Sequence, residues 1–499
     1  MTTFCIALAA LVLGYLLYGR FVEKVFGIEP ERETPCYTQA DGVDYMPMPG
    51  WKVFLIQFLN IAGTGPIFGA ILGILYGPAA YLWIVLGCIF GGAVHDFLGG
   101  MLSIRKNGAS LPEIIGDELG MGARFVMRIF SLVLMVLVGA VFAYSPAKLL
   151  GGMTNEALGF DSVYMWTCII FGYYVLATLM PIDKVIGKLY PLFGIALIFM
   201  AVGVGAGIFI FDGSMPEITD AFVNHNPSKS VPMFPGLCIT IACGAVSGFH
   251  ATQSPMMARC MKNEKLGRRV FYGAMITEGI VAVIWAAAAI KFADTLDVPG
   301  NTPYEKLSTA MAGNPAAIVN MICNSWLGWF GATLAILGVV AAPITSGDTA
   351  LRCARLIAAD FIKLNQKSIA KRLLLCLPIF AIAIAIVIWS ITNKEGFNTV
   401  WRYFAWTNQT LSVFTLWAIT VWLGKKGKCF WVTLVPACFM TVVCTSYILL
   451  AEEGFGLPLV TSLLVGMAVA LILACMFYRH SLFWEIPGET TVGETASEE

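Results

Sequence analysis

Charge is what this 499-residue chain has least of. Asp, Glu, Lys and Arg make up 12% of it, against roughly 25% in a soluble domain. The 31 cations balance 31 anions to a formal net charge of zero. So few charges cannot clothe a soluble surface of this size, and no basic surplus remains to pair with phosphates, which excludes nucleic acid as a partner. The 14 cysteines contain no C-x-x-C pair, and most, such as Cys88, Cys168, Cys243, Cys444 and Cys475, lie inside apolar runs where a thiol acts as a small hydrophobe. A Walker A sequence for ATP and an H-E-x-x-H zinc-hydrolase motif are both missing. Residues 1–19 carry no positive charge, and no small-residue cleavage site precedes the polar stretch after Arg20. The apolar start therefore reads as a transmembrane helix and not as a signal peptide.

What the chain has in abundance is apolar surface, at 58% of residues and a mean hydropathy of +0.79, with 50 glycines, 33 phenylalanines and 22 methionines spread along it. A bilayer core needs about 20 apolar residues per helix. On that scale thirteen stretches qualify, near 4–22, 53–76, 79–102, 127–150, 163–180, 189–211, 235–257, 271–293, 326–351, 373–391, 399–423, 429–450 and 457–478. The fold expected is an all-α integral membrane protein of about 13 transmembrane helices. Lys and Arg favour cytoplasmic loops, and 25 of the 31 follow odd-numbered spans; Lys148, Lys229, Lys291, Lys306, Lys394 and Arg402 are the remainder. That alternation places the N-terminus outside and the C-terminus in the cytoplasm. The tail at 485–499, with Glu485, Glu489, Glu494, Glu498 and Glu499, is too short and acidic to be a domain and is expected to be disordered.

Two spans carry helix breakers at membrane depth. Span 2 contains IAGTGP (Ile61–Pro66), where two glycines and a proline in six residues remove hydrogen bonds and relax φ. Span 7 contains CGAVSGFHATQSP (Cys243–Pro255). Exposed backbone is tolerated there only inside protein or against a watery cavity. Spans five apart run in opposite directions, as two inverted five-helix repeats require, and paired interrupted helices mark a transporter's substrate site. The organisation expected is an N-terminal helix and loop at 1–50, repeats at 51–211 and 212–424, and two further helices at 425–484.

Ionised side chains within lipid cost about 2.5 kcal/mol or more, which makes them functional candidates. Span 3 places His95 beside Asp96 between Gly91, Gly92, Gly99 and Gly100, glycines that permit close helix approach; span 7 supplies His250, Thr252, Gln253 and Ser254. Span 9 supplies Thr345, Ser346, Asp348 and Thr349, and span 11 Asn408 and Gln409. Each has a bland reading: a packed, satisfied histidine, an Asp348–Arg352 pair at i,i+4, or amides that glue helices. His95, Asp96 and His250 also make an N/O set for a divalent metal, although no spacing within one helix demands one. Hydroxyls of Thr345 or Ser346 facing carbonyls near Ala62 and Gly63 would suit sodium. Glu278, inside span 8, is a lesser proton-carrier candidate, and Lys148 can snorkel.

Five blocks carry a resemblance: QFLNIAGTGPI (Gln57–Ile67), GGAVHDFLGGMLSIRKNGASLPEI (Gly91–Ile114), GFHATQSPMMARCMKNE (Gly248–Glu264), TSGDTALRCARL (Thr345–Leu356) and FAWTNQTL (Phe404–Leu411). Together they resemble the carbon starvation protein (CstA) family of peptide and pyruvate transporters. The resemblance implies a bacterial cytoplasmic (inner) membrane carrier, related to the APC superfamily with its LeuT-type five-plus-five inverted repeat. It implies that spans 2 and 7 are the discontinuous helices and that Thr345 with Ser346 is the hydroxyl pair of an inner sodium site.

The function expected is secondary active import of small peptides or pyruvate by alternating access, with no enzymatic activity and no obligatory cofactor. Gly63, Thr64, Gly65, His250, Gln253, Ser254, Asn408 and Gln409 would bind substrate, its carboxylate received by amides at the half-helix starts. Proton coupling through His95 and Asp96 competes with sodium coupling through Ala62, Thr345 and Ser346, with Asp348 nearby. The rivals are a carrier of pyruvate and small carboxylates only, a channel, for which no filter is visible, and a membrane metal-binding protein or hydrolase using His95, Asp96 and His250.

Overall fold

The computed structural model describes residues 1–41, 44–179, 182–228, 232–312, 314–364, 369–393 and 396–482. The acidic tail, Lys229 and Lys394 lie outside the described residues, as do the side chains of Lys184 and Lys188. Among the described residues the chain is helical, with one isolated parallel bridge between Met48 and Met261.

In chain order the long elements are α1 (Thr2–Phe26), the bent pair α2 (Gly50–Ile61) and α3 (Gly65–Tyr76), α4 (Ala79–Arg105), α5 (Leu111–Leu119), α6 (Met121–Leu158), α7 (Val163–Leu179) and α8 (Ile182–Ile210). They continue with α9 (Met233–Thr240), α10 (Gly248–Ala258), α11 (Glu264–Asp294), α12 (Pro303–Met311), α13 (Pro315–Phe361), α14 (Ile369–Thr392), α15 (Gly396–Lys425), α16 (Trp431–Leu450) and α17 (Leu459–Ser481). Helical residues overlie each of the thirteen apolar stretches. Among the described residues, eight helices are long and apolar enough to cross a membrane, or nine with α2 and α3 as one span. The helices outside that number include short pieces such as α9 and α10, and α15, whose buried side is polar with Thr407, Asn408, Gln409, Ser412, Thr415 and Thr420.

Both expected breaks are present. Between α2 and α3 the axis bends by 54°. Ala62, at φ −81° and ψ 59°, leaves helical geometry there. The helix restarts when Phe68 N–H donates to Thr64 O at 2.7 Å, Pro66 having no N–H to offer. The second break runs from Thr240 to Gly248 and turns at Gly244, whose φ of +93° favours glycine. It starts where the sequence pattern suggests but ends sooner, at Gly248. His250, Thr252, Gln253 and Ser254 are thus on the first turns of α10, and Pro255 sits within that helix. A π-helical stretch, Gly87–Gly92, precedes His95 and Asp96 in α4, a local register change of the kind that recurs at functional sites.

The helices differ sharply in how they are used. The apolar window of α11 is 89% buried, whereas that of α17 is 17% buried. Helix α13 lies along α6 and α8, while α16 and α17 pack on each other at the edge of α15. The end of the molecule carrying most loop cations is tied by ion pairs. Arg105 reaches Glu264 at 2.5 Å, Glu29 at 2.7 Å and the Gly27 carbonyl at 3.0 Å, and Lys428 donates to the Phe26 carbonyl. Beside it, α5 starts with a capping box between Ser110 and Glu113, and Lys106 bridges Asp117 and Glu118.

Candidate functional site

The two breaks meet inside the protein. A Cβ added at Gly65 would lie 2.3 Å from Cys243 Cβ, so only glycine lets the start of α3 rest on the second break. Helix α4 approaches the same segment, and a Cβ at Gly92 would fall 2.2 Å from the Ala245 carbonyl oxygen. Gly91 and Gly100 press on Val246 and Phe271, while Gly99 has more room. The Phe142 ring covers Gly63 and packs edge-on against Phe249 and Phe404.

Buried polar groups are normally hydrogen-bonded, which makes the exceptions around the first break informative. Gln57 Oε1, both amide atoms of Asn60, Thr64 Oγ1 and Gln253 Oε1 have no partner, and these residues are at most 1% exposed. Asn60 did not stand out in the sequence, although it is the polar residue immediately before IAGTGP. The second break is better satisfied. Asn408 caps α10 from another helix, its Oδ1 accepting from Phe249 N–H at 2.7 Å and from Ser247 Oγ at 3.2 Å. Gln409 Nε2 donates to the Cys238 carbonyl at 3.0 Å. Ser254 donates to the His250 carbonyl and accepts from Gln57 Nε2. The Phe249 amide at the half-helix start is therefore held by protein in this conformation.

Four ionisable side chains form a buried line. His95 Nδ1 is 2.8 Å from Asp96 Oδ1, His250 Nδ1 is 2.8 Å from Asp96 Oδ2, and His250 Nε2 is 3.3 Å from Glu278 Oε2. All four are 0% exposed. An ionised Asp96 can only accept, so both rings turn Nδ1–H toward it, and in a neutral ring Nε2 is then the lone-pair nitrogen. His95, Asp96 and His250 thus come together as a hydrogen-bonded chain across α4 and α10. The atoms that converge on one point belong instead to Cys243, His250 and Glu278, all within 4.8 Å of one another.

The hydroxyl cluster of α13 faces α2. Ser346 Oγ donates within 3.0 Å of the Leu59 carbonyl and 2.9 Å of the Ala342 carbonyl, and Thr345 bonds back to Ala341 and Ala342. The facing carbonyl is that of Leu59, a turn before Ala62. Asp348 Oδ2 accepts from the Tyr190 hydroxyl at 2.9 Å, while Arg352 Nη2 donates to the Ala177 carbonyl at 2.6 Å. A cavity of about 120 Å³ at the basic end, between α5, α10 and α13, is lined by Thr252, Met256, Arg259 and Cys353. It reaches the neighbour of Gln253.

An all-helical chain with several membrane-crossing helices, and buried polar groups concentrated where two broken helices touch, is a multi-pass membrane protein with an internal polar centre. It belongs to the carbon starvation protein CstA family, whose model matches residues 1–157, 147–309 and 288–447. An uncharacterised membrane protein of Haemophilus influenzae is 46% identical over 338 residues, 58% of this chain and 91% of that one. The Escherichia coli peptide transporter CstA is 25% identical, covering 87% of this chain and 78% of its own. The Escherichia coli pyruvate/proton symporter BtsT is 29% identical over 66% of this chain and 55% of its own. In fold the chain is similar to a manganese transporter of Eremococcus coleocola, with a TM-score of 0.57, 13% identity and coverage of 87% and 93% of the two chains.

Proposed function

We propose that the protein is a secondary active transporter that imports small peptides or pyruvate by alternating access, driven by a cation gradient. The observation that carries this reading is the contact between the two helix breaks, together with the unpartnered polar atoms of Gln57, Asn60, Thr64 and Gln253 on the helices that flank them. Unsatisfied donors and acceptors at that depth cost about 1–3 kcal/mol each. A ligand with amide or carboxylate groups removes that cost when it binds. In this reading the chain crosses a bacterial inner membrane thirteen times, with the N-terminus outside. Residues 51–211 and 212–424 form a LeuT-type inverted repeat whose two halves rock about the breaks. Rearrangement of α10 would free the Phe249 amide from Asn408, opening a positively polarised helix start to a substrate carboxylate.

Two seats are available to the coupling cation. The name of the symporter relative favours a proton, and His95, Asp96, His250, Glu278 and Asp348 are buried titratable groups at hand. The approach of Ser346 to the Leu59 carbonyl favours sodium as the second reading. Purified protein in liposomes, given labelled dipeptide or labelled pyruvate under separate proton and sodium gradients, tests all of this. Saturable uptake of one substrate under one gradient is the expected outcome. Uptake of neither under any gradient, by protein shown to be folded, would overturn it.

A further inference from the structure

The polar centre contains more ligand chemistry than a substrate carrier needs. Glu278 is 0% exposed, and its carboxylate faces the Gly244 backbone and His250 Nε2, 3.3 Å away, with no side-chain hydrogen bond of good geometry among the described residues. A buried carboxylate with so little compensation is among the costlier groups a fold can hold. Cys243, 1% exposed, completes the group. We propose that Cys243 Sγ, His250 Nε2 and a Glu278 oxygen bind one divalent transition-metal ion, of which zinc or ferrous iron suits this sulfur, nitrogen and oxygen set. The inference goes beyond the transport reading and does not rest on it.

Three features support it. First, two ligands about 2.0–2.1 Å from a tetrahedral ion stand about 3.3 Å apart, which is the His250–Glu278 separation. Second, the next layer is in place. His250 presents its other nitrogen to Asp96 at 2.8 Å, and Asp96 is held by His95 at 2.8 Å; such a carboxylate–histidine pair fixes the tautomer and orientation of a metal ligand. Third, the thiol is positioned on both sides. Ser247 Oγ and Asn408 Nδ2 lie 3.6 Å from Cys243 Sγ, and Gly65 closes the opposite side, where an added Cβ would be 2.5 Å from the sulfur. A thiolate and a carboxylate neutralise the ion's double charge, and three protein ligands leave a fourth position open.

The test uses the full chain purified in detergent, loaded with zinc or with cobalt, washed, and read by elemental analysis and absorption. About one zinc per chain is expected, and the cobalt form should show the near-ultraviolet thiolate-to-cobalt band in the unaltered protein. Cys243→Ser should abolish that band. Both Cys243→Ser and Glu278→Gln should lower affinity at least about tenfold, the least that loss of a supporting group costs a metal site. Cys353→Ser, a buried thiol bonded to the Thr252 carbonyl instead, should change nothing. A washed protein with less than about a tenth of an equivalent of metal would overturn the proposal, leaving His250 and Glu278 as a bare ion pair. So would a cobalt form without the thiolate band, or metal retained in full by Cys243→Ser.

Discussion

Helices α11 and α17 are both apolar enough to cross a bilayer, with hydropathies of 1.8 and 2.5, yet one is 89% and the other 17% buried within the protein. The less apolar helix is the deeper one. Helix α11 carries Glu278 and Lys291, both buried, Lys291 donating to the Ile208 carbonyl at 2.8 Å. Helix α17 carries no charge before its last turn, at Arg479 and His480. Lipid repels polar groups while surrounding protein can satisfy them. Within a membrane protein it is therefore interruption of hydropathy, by charge or by broken backbone, that marks the interior.

If that contrast is right, the same kind of change should cost far more inside than at the edge. The largest effect is expected from Asp96→Ala, which leaves two buried imidazoles without their shared acceptor. Loss of one partner in such a buried network costs about 3–5 kcal/mol, and should show as a collapse in the yield of monodisperse protein and fast thermal inactivation. Next comes Gly92→Val, which drives a methyl-bearing carbon into the Ala245 carbonyl. Overpacking of this kind costs about 1–3 kcal/mol. The peripheral control Leu471→Ala, at a side chain 65% exposed toward lipid in α17, should stay within about 0.5 kcal/mol.

The smallest effect is a pH dependence at the basic end. Glu29 is pushed up by partial burial, but the Arg105 and Arg32 guanidiniums outweigh this and hold its carboxyl below the ordinary value of 4.5. A depressed folded-state value means the pair contributes fully above about pH 4.5 and is lost as pH falls through the lower folded value. Hydrogen-exchange protection of the 27–30 segment, taken relative to the intrinsic exchange rate at each pH, should therefore fall modestly between pH 5 and acid, and Arg105→Gln should erase that fall. Because Glu29 is mostly solvent-facing, added salt should blunt it.

Much of this was legible in the residues and some was not. Apolar length found the long helices but not the short α5 and α12 between them, and Gly63, Gly65 and Pro66 located the first break almost to the residue, because those residues act on their own backbone. The second break begins where the pattern put it, near Cys243, but ends at Gly248 and not at Pro255. Pro255 and the polar run before it look like breakers, yet Pro255 lies inside α10, and the real turn is at Gly244, whose positive φ and close approach to Ala282 favour glycine. Polar residues in apolar runs gave His95, Asp96, His250 and Ser346. The grouping of His95, Asp96 and His250 was anticipated, but the addition of Glu278 and the Tyr190–Asp348 bond were not legible, since Glu278 is 28 positions from His250 and Tyr190 is 158 from Asp348. Such contacts exist only once α4, α10 and α11, or α8 and α13, are packed. Asn60 was overlooked because one amide in an apolar helix usually finds a partner, and only the packed structure shows that it has none.

Asn60 supplies the most direct test of the claim that the breaks form the substrate site. Asn60→Leu keeps the side chain's size while removing two unsatisfied buried atoms, so the fold should gain about 1–3 kcal/mol while a ligand loses its partner. Measured together, thermal stability and saturable uptake in liposomes should move in opposite directions, with a more stable protein whose uptake efficiency falls about tenfold or more. Unchanged uptake in the stabilised variant, or stability and uptake falling together, would contradict the account.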